Sequence, residues 1–413
     1  MTVAARRAAL EGSVELALRS IDRTLAGLGT AFPHVTEAGR WQMLEAGAGP
    51  RWEGGTWRHG NWTAGFWVGC LWLAALSTGD ERYATGAGRS ANRLAGRERE
   101  DTTHDLGFLF CPSHVLGSQV GGNGVLSARA LVAARSLLGR YVEAGGYIQA
   151  WGPRDDPEWL GISTIDTMMN LPLLWWAART TNDGTYSAAA AAHAAATAEH
   201  FFRPDGSTYH MVTSGGKAGQ VRRKGTFQGY GDESCWARGQ SWAISGFAIA
   251  YRETRDARFL SAADTAARYF LARLPSDGVP YWDFDDPAIP RAPRDSSALA
   301  IAVQGLLELA ELHPSAGRAR NYRGEAERLL GILAGRCQNQ EPDRVDGVLL
   351  HGCYSRPHGE GVDAALIWGD FFYLYGLIWA LRGRRPELSG RGSDDATTER
   401  HVTGETGGND DED

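Results

Sequence analysis

Apolar residues recur at spacings of three and four along most of this chain, as in SVELALRSIDRTLAGL, SARALVAARSLLGRYV, YSAAAAAHAAATAEHFF and AVQGLLELAEL. That period belongs to helices with one buried face, and strand-like alternation is scarce. A looser repeat overlies it. An aromatic-rich segment leads to a polar turn with an Asp or Arg, and a Tyr or Phe then opens a second, Ala-rich helix. The turns are TGDERY (Thr78–Tyr83), TNDGTY (Thr181–Tyr186), TRDARF (Thr254–Phe259) and, more weakly, GRARNY (Gly317–Tyr322). Repeated helix hairpins bury their faces on one another. Irregular turn spacing disfavours an open solenoid and favours an all-α, (α/α) barrel with one ring of helices inside another. The connectors SQVGGNGV, VTSGGKAGQVRRKGTFQGYGDES and HGCYSRPHGEGV are then expected as loops at its mouth.

The 413 residues suffice for a large core, and closed helical barrels of this size occur as single units. A net charge of -7 without a basic tract argues against nucleic acid as a partner. No run reaches ~18 apolar residues, so no membrane partner is expected. The five Cys (Cys70, Cys111, Cys235, Cys337, Cys353) are scattered with no CxxC pair, which indicates neither a disulfide framework nor a zinc site. The first residues mix Arg and Glu and lack the apolar region of a signal peptide. A reducing, cytoplasmic location is the expectation. After about Arg384 the chain turns polar and acidic, which reads as a disordered tail over 385–413.

Four segments combine polar and aromatic groups at the start of a long apolar run: NWTAGFWVGCLWLAAL (Asn61–Leu76), HDLGFLF (His104–Phe110), STIDTMMNLPLLWW (Ser163–Trp176) and DESCWARGQSWAISGFAIAY (Asp232–Tyr251). If these helix starts converge at one end of a barrel, His104, Asp105, Asp166, Arg238 and several Trp meet in one pocket. Paired carboxylates suit glycosidic chemistry, because one donates a proton while the other positions water or tunes its partner. Asp105 and Asp166 form the best pair; Asp232, Asp283, Asp295 and Asp370 compete. Any one Asp at a helix start is more often a cap, held by free N–H groups and the helix dipole. Arg238, between Trp236 and Trp242, suits a carboxylate ligand or a structural partner such as Asp232 or Glu233. His210 reads either as a contact to sugar hydroxyls or as a solvent-exposed loop residue. VRRK (Val221–Lys224) suits an anion or bare solvent, and WDFDD (Trp282–Asp286), among prolines, reads as a structural rim loop.

Read together, WTAGFW, HDLGF, IDTMMN, TFQGYGDESCWARGQSW, PRDSSALAI and GVDAALIWGDFFYLYGL resemble the unsaturated glucuronyl hydrolases of glycoside hydrolase family 88, over roughly Trp62 to Leu381. The resemblance implies one (α/α)6 barrel over residues 1–384. It also implies release of a 4,5-unsaturated uronic acid from the non-reducing end of lyase-generated oligosaccharides, by hydration of the vinyl ether. It makes Asp166 the general acid/base and Asp105 the second catalytic carboxylate. Trp62 and Trp151 carry over as stacking walls. His210, Thr226, Gln228, Arg238 and Trp242 carry over as substrate contacts beside His104, with Arg238 favoured for the uronate. No metal or organic cofactor is implied, and a monomer or weak homo-oligomer is expected. An acid that protonates an alkene carbon must be neutral near pH 7. Burial against Met168, Met169 and Trp, beside a second carboxylate, is expected to raise the Asp166 pKa.

Two departures stand out. Ala64 occupies a position usually acidic or amide, which is expected to loosen that end of the pocket. Of the Ser-x-Ser-x-x-Lys pattern of members that prefer sulfated disaccharides, the matching Cys353, Ser355 and His358 keep only the middle Ser, which argues against that preference. The rival readings are an unsaturated rhamnogalacturonyl hydrolase acting on pectin fragments, a sugar epimerase working with two ring-facing His, and a non-catalytic carbohydrate-binding barrel whose carboxylates are caps.

Overall fold

A computed structural model describes residues 3–49, 60–215 and 220–386. Its helices form two nested rings. The inner ring holds α2 (Ala64–Thr78), the broken pair α4 (Leu106–Phe110) and α5 (Leu116–Gly121), α7 (Leu171–Thr181), α9 (Ala237–Thr254), α11 (Ser296–Leu312) and α13 (Ile367–Arg382). The outer ring holds α1 (Val3–Ala26), α3 (Glu81–Asn92), α6 (Gly124–Leu138), α8 (Gly184–His200), α10 (Ala257–Arg273) and α12 (Ala316–Arg336). Contacts run α2 to α4, α4 to α7, α7 to α9, α9 to α11, α11 to α13 and back to α2, so the inner ring closes. Each inner helix packs on one outer helix, with α1 against α13 completing the (α/α)6 barrel.

Burial explains which helix goes where. Every residue of α9 from Ala237 to Ala250 is buried, as is all of α11 from Ser296 to Leu309. A helix buried on all sides, its few polar residues such as Arg238 and Gln240 partnered within the protein, has no solvent face and takes the inner position. By contrast, α8 buries Tyr186, Ala189, Ala190, His193, Ala194 and Thr197, a single stripe at helical spacing. The recurrent turns work by paired termini. Gly79, Asn182 and Arg255 end inner helices in the left-handed conformation, at φ 73, 57 and 59°. Asp80, Asp183 and Asp256 then accept backbone N–H bonds two residues on and start the outer helices. The fourth turn is displaced from the expectation. Gly317–Tyr322 lies inside α12, and the cap is Ser315. Tyr322 is nonetheless buried like Tyr83, Tyr186 and Phe259 in the other hairpins.

These inner-to-outer turns sit at the C-terminal ends of the inner helices. The long outer-to-inner connections therefore gather at the other end, the mouth. They fold into short antiparallel hairpins the helical period gave no sign of: 32–37 with 40–44, and 352–355 with 360–364. Strand 162–164 also pairs with 211–214, which pairs with 221–225. SQVGGNGV joins α5 to α6, so it lies at the end opposite the mouth, contrary to expectation. The middle connector's residues 216–219, and the expected tail from residue 387 on, lie outside the described residues. All five cysteines are free thiols. Among the described residues no helix is long and apolar enough to cross a membrane.

Candidate active site

Asp105 immediately precedes α4, and Asp166 lies in a 3₁₀ turn (Ile165–Met169) just before α7. The two segments are pressed together at Gly107, where any Cβ would collide with the Asn170 backbone. Asn170 ties them further: its Oδ1 accepts the Phe108 N–H at 2.8 Å, and its Nδ2 donates to the Asp166 carbonyl at 3.3 Å.

Neither acid is a cap. The side chain of Asp105 accepts the Thr103 hydroxyl at 2.7 Å, and its other oxygen lies 3.3 Å from His104 Nε2. Asp166 Oδ2 lies 3.4 Å from His210 Nε2, out of line for a hydrogen bond, and both atoms are buried without a hydrogen-bond partner. The four competitors all serve the backbone. Asp232 accepts the Thr226 N–H and an Arg223 N–H, and Asp283 accepts the Tyr230 N–H and the Ser234 hydroxyl. Asp295 caps α11, and Asp370 accepts from Val348 and Leu349. Of WDFDD, Asp283 and Asp285 accept from Ser234 and Cys235 just before α9, and Asp286 accepts the Trp282 Nε1–H, so the segment ties two connections together as a structural rim element.

The histidines organise the recess. His104 Nδ1 meets the Thr167 hydroxyl at 2.7 Å, so this ring links the Asp105 segment to the residue beside Asp166. His210, brought in on the 211–225 hairpin, is 2% exposed rather than a solvent-facing loop residue. Its Nδ1 accepts the backbone N–H groups of Phe227 and Gln228, at 3.1 and 3.3 Å. In its neutral form the ring therefore carries its proton on Nε2, the ring nitrogen on the Asp166 side. Thr226 Oγ1 lies 3.3 Å from the same Nδ1. Burial raises the Asp166 pKa, but the His210 contact, the positive charge that His210 and His104 carry when protonated, and the Arg238 charge outweigh it, leaving the carboxyl below its usual range. The expectation of a raised pKa fails, because it counted the second carboxylate and missed the histidine and arginine surroundings.

Aromatic residues form the walls. Trp151 stands edge-on to both His104 and His210, at 6.0 and 6.3 Å between ring centres, and touches the exposed Phe227 at 5.4 Å. Trp62 donates its Nε1–H to the Tyr354 hydroxyl at 3.0 Å and packs on Trp368. Gln228 is tied to the Tyr354 carbonyl at 3.3 Å.

Three sequence expectations are corrected here. Trp242 is 0% exposed, packed between Phe108 and Phe372, so it backs the pocket and has no surface for a sugar. Arg238 is 1% exposed and pairs with neither Asp232 nor Glu233. Its Nη1 bonds Asp295 at 2.8 Å and the Cys353 carbonyl at 2.6 Å, and its Nη2 bonds the Tyr354 carbonyl. It lies over Trp236 at 4.4 Å, a fixed charge in the floor rather than a reaching arm. Ala64 is 0% exposed at the start of α2, turned into the core, so it does not shape that end of the pocket. Thr103, Thr167, Asn170 and Tyr354 were missed. Thr167 and Asn170 lie within IDTMMN itself, and Thr103 sits two residues before Asp105. Among the described residues no cluster of His, Cys, Asp and Glu is placed to hold a metal ion.

The sequence profile of glycosyl hydrolase family 88 matches residues 34–307. The chain is 38% identical over 367 residues to the unsaturated glucuronyl hydrolase of Bacillus sp. (strain GL1), covering 87% of this chain and 94% of that protein. The crystal structure of the Bacillus sp. GL1 enzyme, described as responsible for the degradation of glycosaminoglycan, superposes with a TM-score of 0.84 at 36% identity, over 91% of this chain and 97% of that one. The unsaturated chondroitin disaccharide hydrolase of Streptococcus pneumoniae is 39% identical over 278 residues, 67% of this chain and 69% of that protein.

Proposed function

Because the chain belongs to glycosyl hydrolase family 88, we propose that it releases 4,5-unsaturated uronic acid from the non-reducing end of lyase-generated, glycosaminoglycan-type disaccharides. The observation that carries this reading is the pair Asp105 and Asp166, two carboxylates free of capping duty that share one histidine-lined recess.

Asp166 in its protonated form delivers its proton to C4 of the C4=C5 double bond, and the ring oxygen shares the positive charge that develops at C5. Water then adds to C5 and returns a proton to the Asp166 carboxylate. The resulting hemiketal opens, and the exposed hemiacetal at C1 collapses to release the neighbouring sugar. The reaction consumes water alone, and the acid is regenerated. Substrate binding counters the low pKa of Asp166. The uronate adds a negative charge and displaces water, and both favour the protonated acid. His210, with Nε2–H toward Asp166, guides that proton, and Asp105 with Thr103 holds His104 in place. Arg238 supplies attraction for the uronate through its fixed charge, while Trp62 and Trp151 wall the sugar ring.

Unsulfated substrates are favoured. Ser355 is buried and bonded to His358 Nδ1 at 2.7 Å, so its hydroxyl is engaged, and no lysine stands at position 358. The five free thiols are in keeping with a cytoplasmic enzyme. The test follows ultraviolet absorbance of unsaturated chondroitin, hyaluronan, heparin and rhamnogalacturonan products with wild type and Asp166→Asn. Loss of absorbance with wild type alone supports the reading, and the fastest product names the substrate. No loss on any product overturns it.

A further inference from the structure

Beneath the recess lies a second chamber. Phe108, Trp242 and Phe372 stand in line at 5.1 and 5.5 Å, and Phe66 touches Phe108 and Phe372 at 5.5 and 5.7 Å. Trp62 packs on this plug from the active-site side, at 5.4 Å from Phe108. On the far side, deeper along the inner helices, is a cavity of about 160 Å³. Met169, Trp176, Ile249, Phe371 and Tyr375 line its apolar wall.

Its polar end has an unusual balance. Arg179 pairs with Glu253, while Arg252 pairs with Glu253 and Glu308. Arg179, Arg252 and Glu308 line the cavity, and Glu253, outside the lining, pairs with both guanidinium groups, so these charges are met within the protein. Gln304 also lines it. Its side chain is more than nine-tenths buried, and its Oε1 has no hydrogen-bond partner among the described residues. A buried acceptor left unmet is costly, and a donor delivered by a ligand removes that cost. An apolar cavity of ~150 Å³ accepts a benzene-sized ring. Arg179, 57% exposed at the cavity's edge, marks the way in.

We propose that this chamber is a second binding site, separate from the carbohydrate recess, for a small uncharged ring compound carrying one hydrogen-bond donor. The ring fills the aromatic wall and the donor meets Gln304 Oε1. The site shares its ceiling with the catalytic segments, since Phe108 follows Asp105 by less than one turn.

Phenol is the probe, and the methionine methyl groups of the full chain are the reporters. Met169 lines the chamber, whereas Met211 follows His210 on a strand at the mouth, outside the chamber's lining. Titration of phenol should shift the Met169 resonance, assigned through Met169→Leu, saturably, and leave Met211 in place. Gln304→Leu should weaken binding about fivefold, the worth of one ordinary hydrogen bond. No saturable shift, or a shift at Met211 instead of Met169, overturns the proposal without requiring any variant to fold. Undiminished affinity in Gln304→Leu overturns the assigned donor contact.

Discussion

Arg238 and Asp295 are 1% and 0% exposed and 2.8 Å apart, which makes Asp295→Asn an informative change. Asp295 Oδ1 caps α11 through the N–H groups of Ser297 and Ala298, while Oδ2 receives Arg238. An Asn retains the capping oxygen and turns an amide NH₂ toward the guanidinium, so donor faces donor. Stranding a buried charge of this kind costs about 3–5 kcal/mol. Arg238 keeps the carbonyls of Cys353 and Tyr354, so the lower end, about 3 kcal/mol, is expected for Asn. Asp295→Ala removes the cap as well and should cost about 1 kcal/mol more. Equilibrium urea titration with Trp fluorescence reads both. The double variant Arg238→Met with Asp295→Leu should be less destabilised than either single change, because it strands no charge. A loss below about 1 kcal/mol in Asp295→Asn would falsify the claim that this pair is a structural unit of the site floor.

Replacing His210 by Gln should raise the Asp166 pKa, since burial then acts with less opposition; carboxyl ¹³C titration reads this, and an unchanged or lower value refutes the electrostatic picture. Trp242→Phe should leave KM within about twofold while costing roughly 1–3 kcal/mol in stability, as for reshaped cores, whereas Trp151→Ala should raise KM. Equal KM effects at the two positions would show that Trp242 does reach the sugar. Burial pushes the Asp370 carboxyl up to about 7, against the pull of two backbone N–H groups. Its folded pKa thus exceeds its unfolded one, so its contribution is full below about pH 4 and is lost as pH rises through 7. Relative to Asp370→Asn, wild type should lose up to about 4 kcal/mol between pH 4 and 8, since the buried His34, His114 and His193 act alike in both; parallel urea midpoints of the two proteins across that range would contradict this.

The barrel was legible because its signals are local. An αL residue, a capping Asp and a docking aromatic fall within six positions, as in Thr78–Tyr83. The mouth was less so. Its strands are short and pair across long separations, as Ile162 with Thr213, so no window of sequence contains the pattern. Asp105 and Asp166 could be picked out from their motifs, yet what distinguishes them from caps comes from elsewhere: Thr103 for one, His210 from a distant hairpin for the other. The direction of the Asp166 pKa was missed for the same reason. Trp242 and Arg238 stand side by side with pocket residues in WARGQSW, and only the helix rotation shows that one faces the core and the other Asp295.

The central claim is that Asp166 drives hydration of the double bond. Proton NMR of the unsulfated unsaturated chondroitin disaccharide in D₂O, with wild type and Asp166→Asn in parallel, tests it most directly. The vinyl proton at C4 should disappear as fast as free sugar is released, with one deuterium placed stereospecifically at C4, and Asp166→Asn should do neither. Release of sugar while the vinyl signal persists, or full activity in Asp166→Asn, would contradict it.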